Sequence, residues 1–200
     1  MERNELCWCG SGKKYKKCHL MIEEKIAYHA DKGEIVPTRD MLKTIPQIEG
    51  IQKSADLNTA VLDHVAAHIH AGMSTAEIDK LVYDYTTEHG GIPAPLNYQG
   101  FPKSVCTSIN NEICHGIPDE NIILEEGDII NVDVSTILDG YFSDASRMFM
   151  IGKVSERAEN WFVSHRNVSN LDLRRQNHGT ISETLQMRSI HMQKQMAILS

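Results

Sequence analysis

The chain has 200 residues, carries a formal net charge of −7 and is 41% hydrophobic. That length allows one domain, or one domain plus a small module, and the acidic balance argues against a general nucleic-acid binder. No apolar run approaches the ~20 residues of a membrane span, and the opening Met1-Glu2-Arg3-Asn4 has no signal-peptide apolar region, so a cytoplasmic protein is expected.

Residues 1–20 come first and stand apart. Cys7-Trp8-Cys9-Gly10-Ser11-Gly12 is followed by Cys18-His19, which places three of the five cysteines and a histidine close together. In a cytosolic chain, clustered cysteines favour metal over disulfides. Three thiols and one imidazole suffice for a closed tetrahedral zinc site. The glycines permit tight turns around an ion, and Lys13, Lys14, Lys16 and Lys17 are expected to help ionise the thiols and to leave a basic surface. Twenty residues cannot build an apolar core, so metal must supply the folding energy. The pattern CxCGSGxxxxxCH resembles the SEC-C motif in full. That resemblance implies one structural zinc on Cys7, Cys9, Cys18 and His19, and a docking role towards the ribosome or another protein.

Residues 21–41 are polar, compatible with helix, and read as a linker. Residues 42–155 then show regular patterning, within a domain expected over 42–160. A helix is expected from about Pro46 to Ala71, with Ile48, Ile51, Ala55, Val61, Val65 and Ile69 on its apolar stripe and Gly72 as its stop. A second begins at Ser74, where Ser74 and Glu77 fit a capping box, and ends at Gly90-Gly91. Strand-like runs follow at Val105–Ile109, Asp128–Val134 and Tyr141–Ile151. Helices followed by an antiparallel meander predict an α+β domain.

The last two runs carry the chemistry. Asp139-Gly140 is a hairpin turn signal. A two-residue loop there pairs Asp133 with Ser146, and a four-residue loop pairs Asp133 with Asp144. In either register the two carboxylates share a face, within about 5–8 Å. Carboxylates that close repel unless protonated or bound to cations, and a pair of metal ions resolves the repulsion while activating water. Turn and cap roles for both aspartates are the competing reading.

Longer motifs surround this hairpin: Tyr98-Gln99-Gly100-Phe101-Pro102-Lys103-Ser104-Val105-Cys106, Asn110-Asn111-Glu112-Ile113-Cys114-His115-Gly116-Ile117-Pro118, and Gly127 to Val134 through Asp144 and Met148-Phe149. Together they resemble bacterial-type methionine aminopeptidases. The resemblance implies the N-terminal half of a pita-bread fold and metal-dependent removal of the initiator methionine from nascent proteins. By position, Asp133 and Asp144 match metal ligands for two divalent ions (Co, Mn, Fe or Zn). His115 matches the catalytic histidine that contacts the substrate. Tyr98, Phe101 and Cys106 match the methionine pocket, although the family often has tyrosine at the position of Phe101. The Cys106 and Cys114-His115-Gly116 context favours methionine over the Xaa-Pro specificity of related enzymes.

The family also uses a histidine in a Gly-His-Gly motif and two later glutamates, for which this sequence has no match. His178, in Asn-His-Gly-Thr, is a poor candidate. Residues 161–200 lose the regular pattern. If each codon's third base is read with the next two, Asn160–Trp161 must encode Leu, Trp161–Phe162 Val, Met192–Gln193 Ala and Met196–Ala197 Gly, all compatible with the family's continuation. A frameshift near Asn160, an aberrant disordered tail and a half-fold that is unstable and inactive alone are therefore expected. The rival reading is a non-catalytic, zinc-dependent binding protein.

Overall fold

The computed structural model describes residues 1–160 and 162–163. The aberrant tail expected over 161–200, and the sequence beyond the expected frameshift, therefore lie almost wholly outside the described residues. Among the described residues the main elements, in chain order, are α1 (Leu20–Asp31), α2 (Ile45–His68), α3 (Thr75–Glu88), β1 (Ile92–Pro93), β2 (Cys106–Ile109), β3 (Ile129–Leu138) and β4 (Tyr141–Met150). Short 3-10 turns occupy Tyr15–Lys17, Arg39–Met41 and Tyr98–Gly100. No described helix is long and apolar enough to cross a membrane.

Strand β3 organises the sheet. It pairs antiparallel with β4 along one edge and with β1 and β2 along the other. Its residues alternate strictly: Ile130, Val132, Val134 and Thr136 are buried, while Asn131, Asp133 and Ser135 are only partly covered. Because the side-chain period of a strand is two, the first set packs on the helices and the second faces away. The core under the sheet joins Val61, Val65, Ile78 and Val82 of α2 and α3 to Val105, Ile130, Val132 and Ile151, all at most 1% exposed. Thus one face of β3 holds the fold together and the other is free to carry polar groups.

Caps set the helix starts. Ser74 accepts from the Glu77 amide while the Glu77 carboxylate accepts from the Ser74 amide, which is the box expected from the sequence. Helix α2 has a second box at Thr44 and Gln47, with Pro46 in its first turn. This helix ends at His68, a few residues short of the expected Ala71. The segment expected as a linker contains α1, and the zinc-type module is seated on it. Trp8 Nε1 donates to Glu23 at 2.8 Å, the Tyr15 hydroxyl and Arg39 also bind Glu23, and the Arg39 guanidinium lies 3.6 Å from the Trp8 ring centre.

Two buried polar contacts tie α2 to the hairpin. Thr136 Oγ1 donates to Asn58 Oδ1 at 2.7 Å, and Ser54 Oγ lies 3.1 Å from the Thr136 carbonyl and 2.8 Å from Ser143 Oγ. Where α2 passes Tyr141 only glycine fits, since a Cβ on Gly50 would come within 2.3 Å of the tyrosine ring. Among the described residues the outer edge of β4 has no strand partner.

Candidate active site and metal centre

The carboxylate hairpin closes on Asp139 and Gly140, with Leu138 opposite Tyr141. Both turn residues have positive φ, 50° and 81°, the conformation that matches the natural twist of two strands. The two-residue loop fixes the register: Asp133 faces Ser146 and Asp144 faces Ser135. Asp133 and Asp144 are therefore diagonal neighbours on the sheet face turned away from the helices. That relation places their Cα atoms about 7–8 Å apart.

Both aspartates line a cavity of about 1030 Å³, which also receives Cys106, His115, Tyr98 and Phe101. Each side chain reaches it for a local reason. Cys106 is the cross-strand partner of Asp133 on β2. Tyr98 and Phe101 come from a loop closed by Asn97 N–H donating to the Phe101 carbonyl at 2.8 Å, with Asn97 and Gln99 at positive φ. His115, also at positive φ (59°), sits in a loop laid directly on β2. Its neighbour Gly116 accepts from the Thr107 amide at 2.9 Å and donates to Ser108 Oγ at 3.2 Å. A Cβ on Gly116 would lie 2.0 Å from the Thr107 carbonyl oxygen, so only glycine allows that approach.

The electrostatics are those of a site short of positive charge. Burial raises the Asp133 pKa, the Asp144 carboxylate raises it further, and His115 opposes both. Burial, then Asp133, Cys114 and Asp144, raises that of Cys106 and keeps its thiol protonated. The Ser135 hydroxyl donates to Asp144 and orients one of its oxygens, a contact the sequence did not suggest. Two clustered oxygen donors that repel each other suit hard or borderline divalent cations. Two carboxylates by themselves hold such ions weakly.

The amino-terminal cluster contrasts with this. Ligand atoms of Cys7, Cys9, Cys18 and His19 all lie within 4.8 Å of one another. Cys7 Sγ and Cys18 Sγ each lie 3.2 Å from His19 Nδ1, and Cys9 Sγ lies 3.6 Å from Cys18 Sγ. These are the donor types, number and clustering of a closed tetrahedral zinc site, and Nδ1 is the imidazole atom turned inward. Hydrogen bonding from Ser11 leads the lowering of the Cys9 thiol to about 6, so it is largely thiolate at neutral pH. Burial pushes Cys7 the other way. The lysines expected to ionise the thiols are exposed, and Ser11 rather than charge is the leading cause.

Both regions of the chain are similar to known proteins. Residues 49–174 match the model of metallopeptidase family M24, and residues 3–20 match the SEC-C motif. A methionine aminopeptidase of Chlamydia trachomatis is 44% identical over 164 residues, covering 78% of this chain and 54% of that protein. Methionine aminopeptidase A of Synechocystis is 50% identical over 113 residues, covering 56% of this chain and 45% of that one. The crystal structure of methionine aminopeptidase from Rickettsia prowazekii superposes with a TM-score of 0.62 at 38% identity, covering 64% of this chain and 51% of that one. The chain thus spans about half the length of the curated relatives it matches. With its partial pita-bread domain, α+β architecture and matched residues covering most of the sequence, the chain belongs to metallopeptidase family M24.

Proposed function

We propose that the cavity is the metal- and methionine-binding half of a methionine aminopeptidase site, acting on nascent polypeptides in the cytoplasm. The observation that carries the reading is the convergence of Asp133, Asp144, His115, Cys106, Tyr98 and Phe101 on one cavity from three strands and two loops. Asp133 and Asp144 are the residues to hold divalent cations, two in a completed site. Such ions supply the positive charge that polarises a peptide carbonyl and acidifies water.

The chain's own residues set the rest. The Ser135 hydroxyl fixes the rotamer of Asp144, so that its remaining lone pairs point into the cavity. Asp133, its pKa raised by burial and by its neighbour, has the most to gain from a cation, which would hold it ionised. His115 offers a hydrogen bond to the substrate's main chain beside the carboxylates. Phe101, Tyr98 and the protonated Cys106 form an apolar wall suited to an unbranched thioether side chain. The amino-terminal module binds one structural zinc and serves as a docking element, with the ribosome as its proposed partner. The described residues provide only two carboxylate ligands, so turnover by this chain alone is expected to be far below that of a site with a full ligand set.

The test is release of methionine from a Met-Ala peptide in the presence of manganese or cobalt, with Asp144→Asn as the control. Metal-dependent release that the variant abolishes supports the reading. Full zinc occupancy of the amino-terminal module, with neither methionine release nor manganese binding in the cavity, overturns it and leaves a binding protein.

A further inference from the structure

A helix begins with four main-chain N–H groups that have no partner within the helix. In α2 each is accounted for. The Thr44 amide donates to Gln47 Oε1 at 2.8 Å, and the Gln47 amide donates to Thr44 Oγ1 at 3.4 Å. Pro46 has no N–H. The fourth group, Ile45 N–H, donates to the carbonyl oxygen of Cys9 at 2.7 Å. Cys9 is one of the four clustered ligand residues, only 2% exposed. A residue of the zinc cluster thus completes the cap of a helix 36 positions further along the chain.

The contact is reinforced on both sides. The turn at Gly10 lies against Pro46, with its Cβ position 3.4 Å from the proline ring. Trp8, between the cluster residues Cys7 and Cys9, carries Arg39 on its face and binds Glu23, which also receives Arg39 and Tyr15. Three elements (the module, α1 and the Arg39–Met41 turn) meet at this carboxylate. It is only partly exposed and receives three donors, which hold its pKa down against the effect of burial.

From its cap, α2 runs directly to the candidate site. One turn in, Gly50 receives the Tyr141 ring at the hairpin tip. One turn further, Ser54 reaches Thr136 and Ser143, which flank the bonded pair Ser135 and Asp144. A continuous series of contacts therefore joins the zinc cluster to the strand residues beside the metal-binding carboxylates.

We propose that the amino-terminal zinc cluster is a positioning element of this fold: metal loading orders the Cys9 turn that caps α2, and through Gly50, Tyr141 and Ser54 it orders the hairpin bearing Asp133 and Asp144. The proposal goes beyond a docking role for the module and does not require that the cavity hydrolyse anything. Without metal, twenty residues with little apolar core cannot hold the Cys9 turn in place. Ile45 N–H then loses its partner, and the first turns of α2 fray.

Hydrogen exchange read by mass spectrometry tests this in the full chain carrying Asp133→Asn and Asp144→Asn, so that metal effects report the amino-terminal cluster. On zinc removal by chelator, amides of residues 45–52 and 140–144 should exchange about tenfold faster or more, while those of α3 stay unchanged. Unchanged exchange at 45–52, with residues 5–19 exchanging freely, overturns the proposal. So does uniform acceleration that includes α3, because the effect is then global rather than routed through α2. Arg39→Ala provides the milder arm. It leaves all four ligands and one equivalent of zinc in place, yet should speed exchange at 45–52 several-fold, and protection equal to the parent counts against the seam.

Discussion

The two candidate metal-binding regions of this chain pose opposite problems. The amino-terminal cluster has a complete ligand set and little core of its own: Cys7, Cys9 and Tyr15, with Trp8, Cys18 and Leu20 partly packed against them. The carboxylate hairpin rests on a core of thirteen buried side chains drawn from α2, α3, β3 and the segments beside them, but contributes only two ligands. On the proposed reading, metal makes the fold in the first region, and in the second the fold makes the place for metal. The two should therefore respond in opposite ways to the loss of a ligand and the loss of a methylene.

The sharpest break of this contrast is ligand removal in the first region. Structural zinc in such small modules contributes on the order of 10–16 kcal/mol of apparent binding energy. Cys9→Ser should drop zinc content from one equivalent to near zero and expose Trp8, seen as a red shift in its emission. The α3 core should remain folded by circular dichroism. In the second region the equivalent damage is to packing. Ile78→Ala, at a fully buried position, should cost about 2–5 kcal/mol in a denaturant titration with zinc stoichiometry unchanged.

Removing a carboxylate sharpens the comparison from the other side. Asp144→Asn should abolish manganese binding in the cavity, measured by titration calorimetry, yet leave the thermal midpoint within a few degrees of the parent. A ligand that does not hold the fold together can be lost without unfolding it. A pH effect should be smaller. His64 stacks on Tyr85 and lies tilted against His68, with ring centres 4.6 and 4.3 Å away, and burial first, then His68 and His89, lower its pKa against the pull of Glu88. The folded state thus prefers neutral His64. Its contribution is complete above the ordinary value of 6.5 and fades as pH falls below it, so stability should decline from pH 7 to 5, and less so in His64→Gln. The smallest effect is at the cap. Thr44→Ala should cost about 1 kcal/mol, measured by the same titration.

Much of the hairpin could be read before any coordinates. Asp139-Gly140 signalled the turn, and the alternation through Ile130, Val132 and Val134 put Asp133 on the opposite face. The sequence left two registers open, because a two-residue and a four-residue loop both satisfy that alternation. The structure has the shorter loop, so Asp144 bonds Ser135 instead of facing Asp133. The Ser74–Glu77 box was equally legible, since it lies within four residues. The similar box at Thr44 and Gln47 is carried by Thr-Ile-Pro-Gln, where the proline marks the first turn. No local pattern announced Ile45 bonding Cys9 or Glu23 gathering Trp8, Tyr15 and Arg39. Those contacts join residues 8 to 36 positions apart, and their partners are chosen by packing rather than by periodicity.

The seating of Gly116 on the Thr107 carbonyl has a consequence for how this surface can vary. The imidazole next to it takes its position from β2 and not from the loop in which it lies. Asn111, Ile113 and Cys114, exposed at the bend, can therefore change in size without relocating that ring, whereas Glu112, whose carboxylate accepts from the Ile109 amide at 3.2 Å, belongs to the seating. Drift on the rim is separated from alignment at the centre, and a single side-chain-free residue provides the insulation.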